Sequence, residues 1–251
     1  MLTFERQQII LELVKEKQIV KIQELVDATN ASESTIRRDL TELEEQNKLK
    51  RIHGGASSLS KRLDEPTIAE KDTQNKDEKK AVAKYAASVV DDRDCIYLDA
   101  GTTMAEMIPF LKEKNCVVVT NGLNHIFSLI EHGIETHIVG GAVKAGTKAS
   151  IGRGAVQGLE NFRFDKVFIG TNGIHSKFGL TTPDPQEAFV KEKAIECSHK
   201  AFVVVDHSKF GETYFSKFAN IESVIVITSS NTSESVIKDM RRKTEVEVVP
   251  I

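Results

Sequence analysis

The chain has 251 residues, 40% hydrophobic and 28% charged, which are globular values that exclude a disordered or low-complexity protein and allow one large domain or two unequal ones. A formal net charge of -3 gives no general attraction to nucleic acid, so any binding of DNA must rest on local charge. No apolar run reaches the roughly 18 to 20 residues of a membrane helix, and the charged start "MLTFERQQIILELVKEKQ" is unlike a signal peptide, so a cytoplasmic protein is expected.

The first fifty or so residues read as three short helices with no strand. Phe4, Ile9, Ile10, Leu13 and Val14 recur at helical spacing, then Ile22, Leu25 and Val26, then Ile36, Leu40 and Leu43. Between the second and third lies "TNAS", a turn in which Ser32 is placed to cap the third helix. Three helices with a tight turn before the last form a helix-turn-helix, whose last helix enters the major groove. With Ile36, Leu40 and Leu43 on the core stripe, Ser34, Thr35, Arg37, Arg38 and Thr41 fall largely off it. Arginine can read a guanine edge with two hydrogen bonds, and serine and threonine more often bond phosphates. The segment "KLKRIHGGA" then sets Lys48, Lys50, Arg51 and His53 on a short hairpin that ends at Gly54 and Gly55, a wing suited to gripping the sugar-phosphate backbone. Glu42, Glu44 and Glu45 allow the competing reading of a solvated charged face, but capped turn, helix and basic wing follow in the order a DNA-reading domain requires. Residues 1 to 56 are therefore expected to form a winged helix-turn-helix, and the polar residues 57 to 75 a linker.

From residue 76 onward strands and helices alternate. Apolar runs at "CIYLDA", "CVVVT", "THIVGG", "KVFIGT", "AFVVVDHS", "VIVITS" and "VEVVP" are separated by helix-length segments such as 104 to 113, 122 to 131 and 185 to 198. That alternation predicts an α/β domain with a largely parallel sheet over residues 76 to 251, with any ligand beyond the carboxyl ends of the strands. Polar and small residues gather there. "YLDAGTT" supplies Asp99, Gly101, Thr102 and Thr103, the last two opening a helix whose free amides suit an anion. "VVTNG" supplies Asn121, "IVGGAVKAG" supplies Gly140, Gly141 and Lys144, and "IGTNGI" supplies Thr171, Asn172 and Gly173. Glu187 and Lys191 stand one helical turn apart, and "VVDHSKFG" adds Asp206 and Lys209. Each fragment alone is as well explained by a turn, a surface pair or tight packing; their recurrence at successive strand ends points to a pocket for a small phosphorylated polyol.

Other chemistries find less support. No strand is followed by a full G-x-G-x-x-G or Walker A pattern, and the histidines have no zinc spacing, so neither nucleotide cofactor nor metal is expected. Cys95, Cys116 and Cys197 are isolated, odd in number and close to apolar stretches, which predicts buried reduced thiols. A sugar-phosphate isomerase carrying an accessory helical domain is the alternative of a different class. Glu187 or Asp99 could serve such an enzyme as base, but no complete catalytic arrangement is evident, and no catalytic residue is assigned.

The stretch "STIRRDLTELEEQNKLKRIHGGA" is similar to the signature of the DeoR family of bacterial transcription regulators, and "ERQQIILELVKEKQIVKIQELVDATNASESTIRRDL" resembles its winged helix-turn-helix along the whole length. Most of residues 76 to 251, through "YLDAGTT", "VVTNG", "IVGG", "GTNGI" and "VVDHSKFG", resembles the family's sensor domain, whose fold resembles ribose-5-phosphate isomerase and the CoA transferases. The resemblance implies a sugar-phosphate effector, with phosphate at Gly101, Thr102 and Thr103 and sugar hydroxyls near Asp99, Asn121, Asn172, Glu187 and Lys209. Through "VKIQELVDATNASESTIRRDL", "DCIYLDAGTTM" and "GLTTPDPQEA" the chain looks most like the fructose-operon repressors, which implies fructose 1-phosphate as ligand. The expected partners are double-stranded operator DNA and this sugar phosphate. One small wing domain offers a modest contact area, so a homo-oligomer, dimer or tetramer, is expected on repeated half-sites.

Overall fold

The computed structural model describes residues 2–17, 19–46, 48–58 and 62–251. The chain divides into two compact units, Met1–Asp64 and Glu65–Ile251.

The first unit contains α1 (Thr3–Lys17), β1 (Ile19–Lys21), α2 (Ile22–Thr29), α3 (Glu33–Glu45), β2 (Lys50–Ile52) and β3 (Gly55–Ser57). Ile10, Val14, Ile22, Leu25, Ile36, Leu40 and Leu43 form its core, joined by Val20, Leu49 and Ala56. The turn before α3 depends on Asn30, which adopts the left-handed conformation (φ 53°) and closes α2 through its amide on the Val26 carbonyl. Ser32 then caps α3 by accepting the Thr35 amide at 3.3 Å. Two expectations change. Phe4 is 71% exposed and is no part of the core. The wing is a three-stranded sheet in the order β1-β3-β2, not a hairpin alone, and a Cβ on Gly55 would lie 2.0 Å from the Val20 carbonyl oxygen, so only glycine lets β3 lie against β1. A buried ion pair also ties α1 to α3: Arg6 donates to both carboxylate oxygens of Asp39, from Nη2 to Oδ1 at 3.0 Å and from Nε to Oδ2.

The second unit runs α4 (Ile68–Thr73), α5 (Lys76–Ser88), β4 (Cys95–Leu98), α6 (Thr102–Leu111), β5 (Val117–Thr120), α7 (Leu123–Glu131), β6 (Glu135–Ile138), β7 (Ala142–Lys144), β8 (Ala149–Ile151), α8 (Gly152–Leu159), β9 (Phe164–Ile169), β10 (Gly173–His175), β11 (Gly179–Thr182), α9 (Pro185–Glu196), β12 (Ser198–Val204), β13 (Ser216–Ala219), β14 (Ile225–Ser229), α10 (Glu234–Met240) and β15 (Val246–Val249). The seven apolar runs seen in the sequence become one sheet of seven strands, ordered β15-β14-β12-β9-β4-β5-β6. All six of its pairings are parallel. Alternate strand residues feed two cores: Tyr97, Val167 and Val203 on one face with α8 and α9, and Ile96, Leu98 and Phe168 on the other with α5 and α6. After β4 the chain builds outward through β5 and β6 and then returns to lay β9 on the other side of β4. This reversal opens a crevice at the carboxyl ends of β4 and β9.

Two smaller antiparallel elements were not foreseen: the pair β7-β8 and the sheet β10-β11-β13. The connector is also shorter than expected. Ser57 completes β3 of the first unit, residues 59 to 61 lie outside the described residues, and from Glu65 the chain already belongs to the second unit, with α4 formed. Cys116 and Cys197 are buried, but Cys95 is exposed at the start of β4, and all three thiols are free.

Candidate functional site

On α3 the side chains of Ser34, Arg37 and Arg38 are exposed, and Thr35 and Thr41 are half-buried. Each arginine is held by a glutamate one turn away: Arg37 Nε donates to Glu33 Oε1 at 3.0 Å, and Arg38 Nε lies 3.6 Å from Glu42 Oε1. Exposed pairs of this kind contribute about 0.3–0.5 kcal/mol, so a phosphate or a base edge can replace the glutamates at little expense. Lys48, Lys50, Arg51 and His53 are exposed on the approach to β2, on β2 itself and in its turn. Arg51 faces α3, not outward: its Nη1 donates to Thr41 Oγ1 at 2.7 Å and its amide to Glu44 Oε1 at 2.8 Å. It therefore locks wing to helix, which leaves Lys48 and Lys50, with His53 beside them, as the wing's outward polar face among the described residues.

In the second unit a solvent-open cleft lies over the carboxyl ends of β4, β9 and β12. Ten of the expected residues line it: Asp99, Gly101, Thr102, Thr103, Thr171, Asn172, Glu187, Lys191, Asp206 and Lys209. Thr102, Thr103 and Met104 open α6 and line the cleft, and the first helical bond of that turn runs from Ala105 to Gly101, so the three amides before it have no helical acceptor. Asp99 is 2% exposed and is fixed by the Gly170 amide at 3.0 Å and by the Lys191 ammonium. Glu187 accepts from Thr147 Oγ1 at 2.7 Å and lies 3.3 Å from Lys144 Nζ. Asn172 Oδ1 accepts from Thr182 at 3.1 Å, which leaves its amide N–H groups for the cleft. Carboxylates, an amide and an ammonium fixed in this way can grade the hydroxyls of a polyol, whereas a proton-abstracting base would need a carboxylate less engaged than Asp99.

Sequence reasoning missed four polar side chains of the lining: Glu65, Lys71, Lys79 and Thr147. Lys79 matters most. It is 4% exposed, its Nζ donates only to the Lys71 carbonyl oxygen, and among the described residues no carboxylate pairs with it. Burial, with Lys209 and Lys71 nearby, lowers its pKa against the pull of Asp206. Asp206 itself is pushed up by burial, but Lys209, both donors of Ser208, and Lys79 outweigh that and hold it below the ordinary carboxylate range. An ammonium this buried and this poorly compensated sits where an anionic ligand would neutralise it.

The remaining expected residues lie outside the cleft lining. Asn121 is buried behind it, accepting the Ala100 amide at 2.9 Å and donating to the Ser150 carbonyl at 3.1 Å, so it shapes the loop instead of meeting a ligand. Gly141 and Gly173 serve packing: a Cβ would lie 2.6 Å from the Ile151 oxygen at the first and 2.4 Å from the Glu212 oxygen at the second. Gly140 is exposed. Lys144 is spent on carboxylates, Asp184 at 2.8 Å as well as Glu65 and Glu187, and these bonds raise its pKa despite the opposing effect of burial. Glu78, Asp206 and His207 converge as a metal site would require. Their atoms are already engaged: Glu78 accepts the His207 amide and its Nδ1, each at 2.7 Å, and Asp206 accepts Asn75 Nδ2 at 3.0 Å, bonds that fasten α5 to the end of β12. Among the described residues no helix is long and apolar enough to cross a membrane.

The chain matches two protein families along most of its length, a DeoR-like helix-turn-helix domain over residues 6–62 and a DeoR C terminal sensor domain over residues 74–231. It is 50% identical over 250 residues, 99% of each chain, to the uncharacterized HTH-type transcriptional regulator FruR of Bacillus subtilis (strain 168). It is 34% identical to the HTH-type transcriptional regulator GlpR of Haloferax volcanii, covering 94% of this chain and 92% of that one. To the lactose phosphotransferase system repressor of Staphylococcus epidermidis it is 31% identical, covering 97% and 96%. Among solved structures, ribose 5-phosphate isomerase A of Methanocaldococcus jannaschii aligns with 55% of each chain at a TM-score of 0.42 and 19% identity. The two family matches and the regulators among its relatives define a DNA-binding regulator with its own sensor domain, not an enzyme. The chain belongs to the DeoR family of transcriptional regulators.

Proposed function

We propose that the chain represses a sugar utilisation operon, that of fructose, and that a phosphorylated sugar bound in the cleft, fructose 1-phosphate, sets its affinity for operator DNA. The single observation that carries the ligand class is Lys79, a buried ammonium with no carboxylate partner, in the same cleft as the free amides of Thr102, Thr103 and Met104. Together with Lys71 and Lys209 they offer a phosphate dianion several donors, while Asp99, Asn172, Glu187 and Lys191 remain for hydroxyls. The names of the regulator FruR and of the lactose phosphotransferase repressor support a sugar-linked role. Control of DNA follows from linkage: a ligand that favours one arrangement of the sensor unit weakens operator binding by as much as operator weakens ligand binding. A homo-oligomer reading paired half-sites completes the proposal.

A thermal-shift panel of sugar phosphates tests the ligand. Fructose 1-phosphate should raise Tm well above any shift from free fructose or inorganic phosphate, and Lys79→Met should abolish the difference. A panel in which no phosphorylated sugar stabilises the protein would remove the proposal. For DNA, Arg37→Ala or Arg38→Ala should each cost about 1–3 kcal/mol of operator binding if a bidentate base contact is lost. Gel-shift titration reads this directly, and unchanged operator affinity in both variants would move base reading away from α3.

A further inference from the structure

We propose that Glu65, at the start of a strap of residues 65 to 73, is a built-in competitor for the cleft's anion site, so that its carboxylate and a phosphorylated ligand contend for the Lys71 ammonium. This rests on the ligand class proposed above. Glu65 is the first residue of the second unit, and its side chain, 10% exposed, lines the cleft. The proline that follows disfavours helical backbone at Glu65. One of its oxygens accepts from Lys71 Nζ at 3.0 Å and the other from Lys144. Burial pushes the carboxyl up, yet Lys71 and Lys144 overcome this and hold it below the usual range, so it stays an anion in a cleft built for one.

The two cations differ in what else holds them. Lys144 keeps Asp184 at 2.8 Å and Glu187 at 3.3 Å if Glu65 leaves. Among the described residues Lys71 pairs with Glu65 alone. Lys79 is bound to the strap as well, through the carbonyl oxygen of Lys71. Lys71 and Lys79 thus both line the cleft, and both spend their protons on acceptors of residues 65 to 73. Among the described residues three hydrogen bonds tie the strap to the rest of the unit, and a phosphate that displaces the Glu65 carboxylate and recruits Lys79 withdraws two of them, Glu65 on Lys144 and Lys79 on the Lys71 carbonyl oxygen. The third is the Ile68 amide on the Gly146 carbonyl at 3.0 Å. Because the strap continues directly into the DNA-binding unit at Asp64, its release is a covalent route from cleft to operator. The closing of α4 on itself, with Thr67 accepting the Glu70 amide at 3.3 Å and Glu70 accepting the Thr67 amide at 2.7 Å, lets the segment leave as one turn of helix without unravelling.

The test uses the full chain, Glu65→Gln and Glu65→Asp, with calorimetry and amide hydrogen exchange. Glu65→Gln should bind fructose 1-phosphate about tenfold more tightly than wild type, the effect of removing a competing charge, and Glu65→Asp should stay near wild type. Without any ligand, Glu65→Gln should exchange the Ile68 amide about tenfold faster. In wild type, fructose 1-phosphate should speed the same amide. Equal or weaker binding by Glu65→Gln, or a strap that ligand protects, overturns the competitor. If wild type binds no sugar phosphate, the ligand reading fails separately, and ligand-free exchange in Glu65→Gln still decides the strap: unchanged exchange there sinks it.

Discussion

Asp39→Ala should unfold the DNA-binding unit or bring it to the edge of unfolding. The Asp39 side chain is fully buried and accepts two hydrogen bonds from Arg6, itself buried, so the substitution leaves a guanidinium in the core with no counter-charge. Breaking a buried pair in this way costs about 3–5 kcal/mol. A unit of this size has a total stability of only about 3–10 kcal/mol at the usual range per residue. Operator binding should disappear and the lower-temperature part of the melt should move down by many degrees, while calorimetric binding of fructose 1-phosphate stays intact. The double replacement Arg6→Met with Asp39→Leu should recover most of the loss, because a buried pair replaced by apolar residues of similar volume is often neutral. A normal melt for Asp39→Ala would show that the pair contributes little. Loss of DNA binding with an unchanged melt is not expected, since a side chain with no exposed surface cannot reach DNA.

The second large effect concerns the anion end of the cleft. Thr102→Val with Thr103→Val keeps the side-chain shapes but removes two hydroxyl donors beside the free amides of α6. At roughly 1.5–3 kcal/mol for each hydrogen bond to a charged oxygen, affinity for fructose 1-phosphate should fall by two to four powers of ten. Thr103 is 8% exposed and Thr102 is half-buried at the first turn of a helix, positions where valine fits without a change of fold. The variant should therefore bind operator normally and ignore the sugar phosphate. Unchanged affinity would move the phosphate toward Lys71, Lys79 and Lys209 alone, leaving the helix amides out of the site.

What the sequence made legible follows from where each residue is buried. The seven parallel strands carry continuous apolar runs because both faces of the sheet are covered, and such runs stand out from any polar background. Strands β7, β8, β10, β11 and β13 are three or four residues long, too short for an apolar run, and pair antiparallel, so they left no such mark. The strap was read as linker because it is polar, and the groups that hold it, Lys144 and Gly146, lie some seventy to eighty residues further on. Two misses did have a signal. Arg6 stands four residues before Ile10 and eight before Val14, and Asp39 lies between Ile36 and Leu43. Both are charges on a core stripe, and a charge there needs a partner. Glu78 and Lys79 likewise precede the buried Val82 and Ala83 by four residues each on α5. Helical periodicity alone could have placed them on the buried face of α5. The expected cationic wing was legible as charge but not as geometry: nothing in the sequence says that Arg51 turns toward Thr41.

The central claim is that occupancy of the cleft controls DNA. The most direct measurement is a fluorescence-anisotropy titration of the full chain against an operator fragment selected by the protein from random-sequence DNA, with and without saturating fructose 1-phosphate at fixed salt. Coupling of about 1–3 kcal/mol predicts a five- to 150-fold loss of operator affinity with the ligand present. Operator affinity that stays the same while calorimetry shows the cleft filled would contradict the account.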